Sequence, residues 1–145
     1  MHSIGLTGGI TSGKSTVSKT LAERGAALID ADLLGHQTYE PGTETFAQVV
    51  REFGEEIVAE DGTINRQVLG GKVFGHPDGM VRLTGIVWPG IRALATAELA
   101  RLDAEGAAVA VLEAAVMIEA GWQNLVDEVW VVTVPPDVAR ERLME

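Results

Sequence analysis

Apolar positions along the chain follow two rhythms, and the switches between them mark out the elements. Ile4 and Leu6 open a short apolar run, Thr7 to Gly13 is rich in glycine, and Val17, Leu21 and Ala22 then recur at helical spacing. The pattern predicts a strand over 4–6, a tight turn, and a helix from about Lys14 to Arg24 that Gly25 stops. Ala27-Leu28-Ile29 is long enough only for a buried strand, ending at Asp30-Ala31-Asp32. From Leu33 to about Ala104 helical faces such as Phe46, Val49, Val50 and Phe53 take over. Pro41-Gly42, Asp61-Gly62, Gly70-Gly71, His76-Pro77-Asp78 and Pro89-Gly90 read as the breaks between these helices. Strand character returns over 108–112 and 129–134, Pro135-Pro136 ends it, and Asp137 can cap a last helix running to Glu145. Strands alternating with helices predict an α/β fold with a mostly parallel central sheet covered on both faces, three layers in all, and a helical insertion over about 33–104.

Composition narrows the possibilities. At 145 residues, 46% apolar and 22% charged, the chain fits one folded domain spanning 1–145. Its net charge is −10 and its basic residues are scattered singly, so no basic stripe is available to nucleic acid. The absence of cysteine excludes a disulfide framework and a thiolate zinc site, and suits the reducing cytoplasm. No apolar run reaches the ~18 residues of a membrane span, and the start lacks the basic and long apolar regions of a signal peptide. The expected location is therefore cytoplasmic, with no membrane partner. The 17 glycines lie between apolar segments and read as turns rather than linkers.

Chemistry concentrates first at Gly8-Gly9-Ile10-Thr11-Ser12-Gly13-Lys14-Ser15, which satisfies G-x-x-x-x-G-K-S/T at every fixed position. The motif stands where it has to, behind an apolar strand and opening a helix. Glycines let the backbone curl so that successive N–H groups point at phosphate oxygens, and the helix N-terminus adds partial positive charge. Lys14 would reach the β- and γ-phosphates, and the Ser15 hydroxyl is placed to ligate Mg²⁺. This is a P-loop, and it makes a nucleoside triphosphate the expected ligand.

Asp30 and Asp32 follow at the carboxyl end of the second strand, where an open α/β sheet binds ligands. Extended geometry would turn both side chains to one side, one to orient a substrate hydroxyl and accept its proton, the other near the metal. Capping of the next helix is the competing reading for one of them. Glu113 ends the strand over 108–112, where it can join the Mg²⁺ shell or bond a neighbouring loop. Glu119 reads as surface. Arg140 and Arg142 on the last helix read as solvated charges before phosphate ligands. Trp88, Trp122 and Trp130 read as core packing, and His36 as a helix-surface residue within reach of a substrate. His2 and His76 lack metal-ligand spacing to a second histidine.

Leu6-Thr7-Gly8-Gly9-Ile10, Ser12-Gly13-Lys14-Ser15-Thr16-Val17, Ile29-Asp30-Ala31-Asp32 and Tyr39-Glu40-Pro41-Gly42 together resemble the opening of the dephospho-coenzyme A kinase family. The similarity continues through Phe53-Gly54, Asp61-Gly62-Thr63-Ile64-Asn65-Arg66, Leu69-Gly70 and Val73-Phe74 to Leu125-Val126-Asp127-Glu128-Val129-Trp130-Val131-Val132. Ala114 to Leu125 and Trp88-Pro89 look most like the kinase domain of bifunctional CoA synthase. The resemblance implies transfer of the γ-phosphoryl group of ATP to the ribose 3′-hydroxyl of dephospho-CoA. It implies that Gly9 and Thr11 to Thr16, including Ser12 and Gly13, hold ATP and that Lys14 neutralises charge. By the same carry-over Asp32 is the base and Arg66 in the insertion is a contact to the phosphates or the pantetheine side of the substrate; Asp30 and His36 are the other residues expected at the substrate. Two departures stand out: Glu113-Ala114-Ala115-Val116-Met117-Ile118-Glu119 replaces the family's Asp-x-Pro-Leu-Leu-Phe-Glu, and Trp88-Pro89 replaces His-Pro. The resemblance also implies an arginine-rich lid and C-terminal part beyond residue 145, so that this stretch is expected to be a nucleotide-binding core of weak or no activity. Another small-molecule or nucleoside monophosphate kinase is the alternative, because the insertion decides the substrate. A GTP switch would carry an Asn/Thr-Lys-x-Asp motif, which the sequence lacks.

Overall fold

The structure, a computed structural model, describes residues 1–8 and 13–133. Gly9, Ile10, Thr11 and Ser12 of the P-loop lie outside the described residues, as do the expected last helix, Arg140 and Arg142. The chain forms two compact units, one from residues 1–31 and 95–145, the other from 32–94.

The first unit is built on four strands: β1 (His2–Gly8), β2 (Ala27–Asp30), β3 (Val109–Glu113) and β4 (Glu128–Val132). All pairings are parallel and the order is β2-β3-β1-β4, which puts β1 inside the sheet. Alternation along β1 sorts its side chains between two faces. Ile4 and Leu6 join Val111 in a buried cluster, against which Val17 and Leu21 of helix α1 (Lys14–Glu23) pack. Ala22, assigned to the same apolar stripe by spacing, is exposed, and Ser18 is buried instead. Gly5 belongs to the opposite face, where a Cβ would lie 3.0 Å from both Met117 Cε and Val126 Cγ2. A side chain at this position would make Met117 and Val126, in the segment after β3, give way by a few tenths of an ångström. The same segment is tied to β1 by Ala114 N–H donating to the Leu6 carbonyl at 3.0 Å and by the Thr7 hydroxyl donating to the Ala115 carbonyl at 3.3 Å.

Asp127, just before β4, is clasped to the start of β1. Its Oδ2 accepts from the Ser3 N–H at 2.8 Å and the Ser3 hydroxyl at 3.1 Å, while its own N–H donates to the Ser3 carbonyl at 3.0 Å. These hydrogen bonds hold its carboxyl below the usual aspartate range, helped by nearby His2.

The second unit is helical: most of α2 (Ala31–Thr38), then α3 (Glu44–Phe53), α4 (Arg66–Val73) and the first part of α5 (Pro77–Ala104). Its buried residues include Val49, Phe53, Ile57, Ile64, Leu69 and Val73. Caps begin the helices: the Thr43 hydroxyl accepts from Phe46 N–H at 3.1 Å, and Pro77 stands in the first position of α5, where its missing N–H costs nothing. Arg82 Nη1 bonds Glu52 Oε1 at 2.8 Å and its guanidinium lies 5.2 Å from the centre of the Phe53 ring.

Several sequence expectations are corrected. Gly70-Gly71 lies inside α4 and Pro89-Gly90 inside α5, so neither is a break. Val87 and Ile91, both buried, hold α5 in place on either side of the proline. Trp122 is buried as expected, but Trp130 is 40% exposed, because β4 is an outer strand among the described residues. Among the described residues the fourth strand runs over Glu128–Val132, one residue earlier than the expected start, and Val134 of the expected 129–134 lies outside them.

Candidate active site

In a parallel sheet the carboxyl ends of the strands line up at one edge, and here that edge carries the motif residues. Gly13 adopts φ 88° and ψ 17° ahead of α1, a left-handed conformation that favours glycine. Its carbonyl accepts the first helical bonds, from Thr16 N–H at 3.1 Å and Val17 N–H at 3.2 Å. No acidic residue stands in the first turn of α1, so the helix end keeps its attraction for an added anion. Lys14 and Ser15 are the first two residues of that turn.

Register brings the acids of this edge together. Glu113 of β3 pairs with Leu6 of β1 on one side and with Asp30 of β2 on the other. Its Oε1 lies 4.0 Å from Lys14 Nζ, and both side chains are largely shielded, 17% and 20% exposed. Strand ends more than a hundred residues apart in sequence thus place an ammonium, a hydroxyl-bearing helix end and two carboxylate positions on one edge.

The expectation that Asp30 and Asp32 share one side of an extended strand is overturned. β2 ends at Asp30 and α2 begins at Ala31, so Asp32 is an exposed residue in the first turn of a helix and belongs to the second unit. An acid there is favoured by the helix dipole, and both aspartates have polar or charged partners.

His36 and Arg66, separated by 30 residues, meet in the second unit. Arg66 Nη2 donates to His36 Nδ1 at 2.6 Å, and Nη1 lies 3.5 Å from Nε2. They border a pocket of about 260 Å³ with Tyr39, Glu40, Pro41, Thr63 and Ile64. Burial pushes the Tyr39 phenol up, and the Arg66 charge opposes that shift.

Arg66 owes its position to the five residues before it. Asp61 Oδ1 accepts from the Thr63 N–H at 3.1 Å and the Thr63 hydroxyl at 2.6 Å, and Gly62 takes φ 86°. Ile64 bridges Val58 in antiparallel fashion, and Asn65 then caps α4 by accepting from Gln67 N–H at 3.1 Å and Val68 N–H at 3.2 Å. Arg66 is the residue that follows this cap.

A second pocket of the same unit, about 370 Å³, escaped sequence reasoning. Gln37, Thr45 and Gln48 lie on one side and Pro89, Ala93 and Leu94 of α5 on the other. Its sequence signal is Gly90, where a Cβ would come within 2.6 Å of Thr45 Oγ1 and 3.3 Å of Thr38 Cγ2. No helix among the described residues is long and apolar enough to cross a membrane.

Comparison with known proteins agrees with this arrangement. The family described as CoaE, dephospho-CoA kinase, matches residues 2–145. A dephospho-CoA kinase of Geobacter sulfurreducens is 48% identical over 99% of this chain and 73% of its own length. One from Symbiobacterium thermophilum is 46% identical over 99% of this chain and 60% of its own length. The chain thus spans between three fifths and three quarters of these relatives. Among solved structures, TT1252 from Thermus thermophilus superposes with a TM-score of 0.76 at 31% identity, over 99% of this chain and 71% of that one. A dephospho-CoA kinase from Campylobacter jejuni, 18% identical over 98% of this chain and 94% of that one, shares the fold with a TM-score of 0.62. A family match across nearly every residue, joined to a P-loop sequence on a parallel α/β sheet, places this chain in the dephospho-CoA kinase family.

Proposed function

We propose that the chain transfers the γ-phosphoryl group of ATP to the ribose 3′-hydroxyl of dephospho-CoA, giving CoA and ADP. The observation that carries this reading is Lys14, opening α1 at the carboxyl edge of the parallel sheet with its ammonium 4.0 Å from Glu113. Triphosphate oxygens outcompete one carboxylate for that ammonium because they add hydrogen bonds from loop amides and the helix end. In this reading Gly9, Thr11, Ser12 and Gly13 supply the loop, and Lys14, Ser15 and Thr16 the helix start.

Magnesium suits the donors on this edge. The Ser15 hydroxyl and the Glu113 carboxylate are hard oxygen ligands, and they would hold the ion. No cluster of three or more His, Cys, Asp or Glu suited to a metal occurs among the described residues. When bound, the ion supplies neutralising charge between the phosphates.

Asp32 is the base. As the 3′-oxygen attacks the γ-phosphorus, the bond from that phosphorus to the β,γ-bridging oxygen breaks, ADP departs, and the hydroxyl proton passes to the Asp32 carboxylate. Lys14 offsets charge that builds on the transferring group. Residues 33–104 hold the acceptor, with Arg66 and His36 at its phosphates and Asp30 beside the reacting end. The cysteine-free sequence suits the cytoplasm as the place of reaction.

The test is Asp32→Asn. Release of ADP in the presence of dephospho-CoA is expected to slow by about 10²–10⁴-fold, the usual worth of a positioned base, with ATP affinity by titration calorimetry unchanged. Undiminished turnover overturns the assignment of the base, and failure of the unaltered chain to bind ATP overturns the whole reading.

A further inference from the structure

Strand β1 buries two hydroxyl residues among its apolar ones, Ser3 and Thr7. A buried hydroxyl needs a partner, and these find theirs at opposite ends of the strand. Ser3 is taken by Asp127, at the end of the sheet away from the P-loop sequence. Thr7 stands at the other end, one residue before Gly8, and donates to the Ala115 carbonyl at 3.3 Å. Its place in the ladder explains what that bond does. Pairing of β1 with β3 stops at Leu6 and Glu113, whereas pairing with β4 runs on through Thr7 and Gly8. Beyond Glu113 the chain leaves the strand, and two bonds keep it beside β1: Ala114 N–H to the Leu6 carbonyl at 3.0 Å, then the Thr7 hydroxyl to Ala115. Glu113 is therefore held by strand pairing on both sides and by these two rungs immediately after it. A glutamate carboxylate sits at the end of several rotatable bonds, so where it lands depends on where its main chain starts it. Here it lands 4.0 Å from the Lys14 ammonium.

We propose that Thr7 is a positioning residue: its hydroxyl holds the turn after β3 and thereby aims the Glu113 carboxylate at Lys14 and at the ion between the phosphates. The inference rests on the role proposed above for Glu113. Thr7 needs no contact with nucleotide or ion to do this. Its methyl group and its hydroxyl do separate work, the first filling a buried strand position and the second carrying the bond to Ala115. Substitution can therefore divide them. Valine keeps the shape, suits a strand and removes the bond, whereas serine keeps the bond and removes the methyl group.

The readout is the gain in ATP affinity that magnesium brings, measured by titration calorimetry with and without the ion. A purely structural defect lowers both affinities together and leaves their ratio unchanged. Thr7→Val is expected to reduce that ratio about threefold, within the worth of one long hydrogen bond, and Thr7→Ser to keep it. Glu113→Gln is expected to reduce the ratio by itself, and Thr7→Val added to Glu113→Gln to reduce it no further. Should Thr7→Val not fold, Thr7→Ser against Thr7→Ala isolates the same hydroxyl, with the ratio falling only for alanine. An unchanged ratio on loss of the hydroxyl, a ratio that falls for serine and holds for valine, or full additivity with Glu113→Gln overturns the positioning role and leaves the kinase reading standing. If the unaltered chain binds ATP with no gain from magnesium, the role of Glu113 at the ion falls and this assignment falls with it.

Discussion

In the first unit the bonds that place functional groups join distant segments, whereas in the second many of them run between close neighbours in sequence. Glu113 faces Lys14 because β3 pairs with β1 in one register, and Ser3 holds Asp127 across 124 residues. Arg66, by contrast, is delivered by an aspartate turn, a glycine and an asparagine cap within the preceding five residues. The edge that carries Lys14 and Glu113 therefore exists only when the whole sheet does, while the neighbourhood of Arg66 carries much of its geometry in one short stretch.

Breaking the sheet tests this contrast most severely. Leu112 is fully buried in β3 next to Glu113, and Leu112→Ala is expected to lower unfolding free energy by about 2–5 kcal/mol. Urea denaturation should show the loss, and ATP affinity should fall in the surviving folded fraction because Glu113 and β1 share that register. A drop in stability with ATP affinity intact would mean that the edge is less dependent on the sheet than its geometry implies.

A smaller effect is expected from Asn65→Ala, which removes the α4 cap at a cost of about 0.5–2 kcal/mol. Here the signature is selective: dephospho-CoA affinity declines while ATP affinity holds. Equal losses for both ligands would erase the distinction between the two units.

The smallest effect is a matter of pH. The Asp127 carboxyl is held low in the folded chain by Ser3, so its contribution is present above the unfolded aspartate value near about 3.9 and is lost as pH falls through the lower folded value. Melting temperature followed through the acid range should drop less steeply for Asp127→Asn than for the unaltered chain. Parallel curves would remove Asp127 from the groups that sense acid.

The same contrast explains what could be read in advance. Strand β1, the P-loop sequence, α1 and the helical insertion were legible because each rests on local periodicity, on glycine, or on a motif whose mechanism fixes its context. Register was not, since nothing within Val109 to Glu113 says that its neighbours will be Leu6 and Asp30. The Asp30-Ala31-Asp32 triplet was misjudged by extending strand alternation past the end of a strand, where a helix had begun at Ala31. Pro89 was read as a stop, yet buried Val87 and Ile91 carry α5 through it despite the helical bond it cannot donate. Gly70 sits inside α4, where a Cβ would press on the Phe74 ring at 3.0 Å, a close contact that a turn rule does not foresee.

The position of β1 also bears on how the protein is born. Its two hydrogen-bonding neighbours begin at Val109 and Glu128, so β1 is synthesised about a hundred residues ahead of either partner. At about 5–20 residues per second that wait lasts on the order of 5–20 seconds. Throughout it, the apolar segment around Ile4 and Leu6 has yet to meet the two strands that flank it in the sheet.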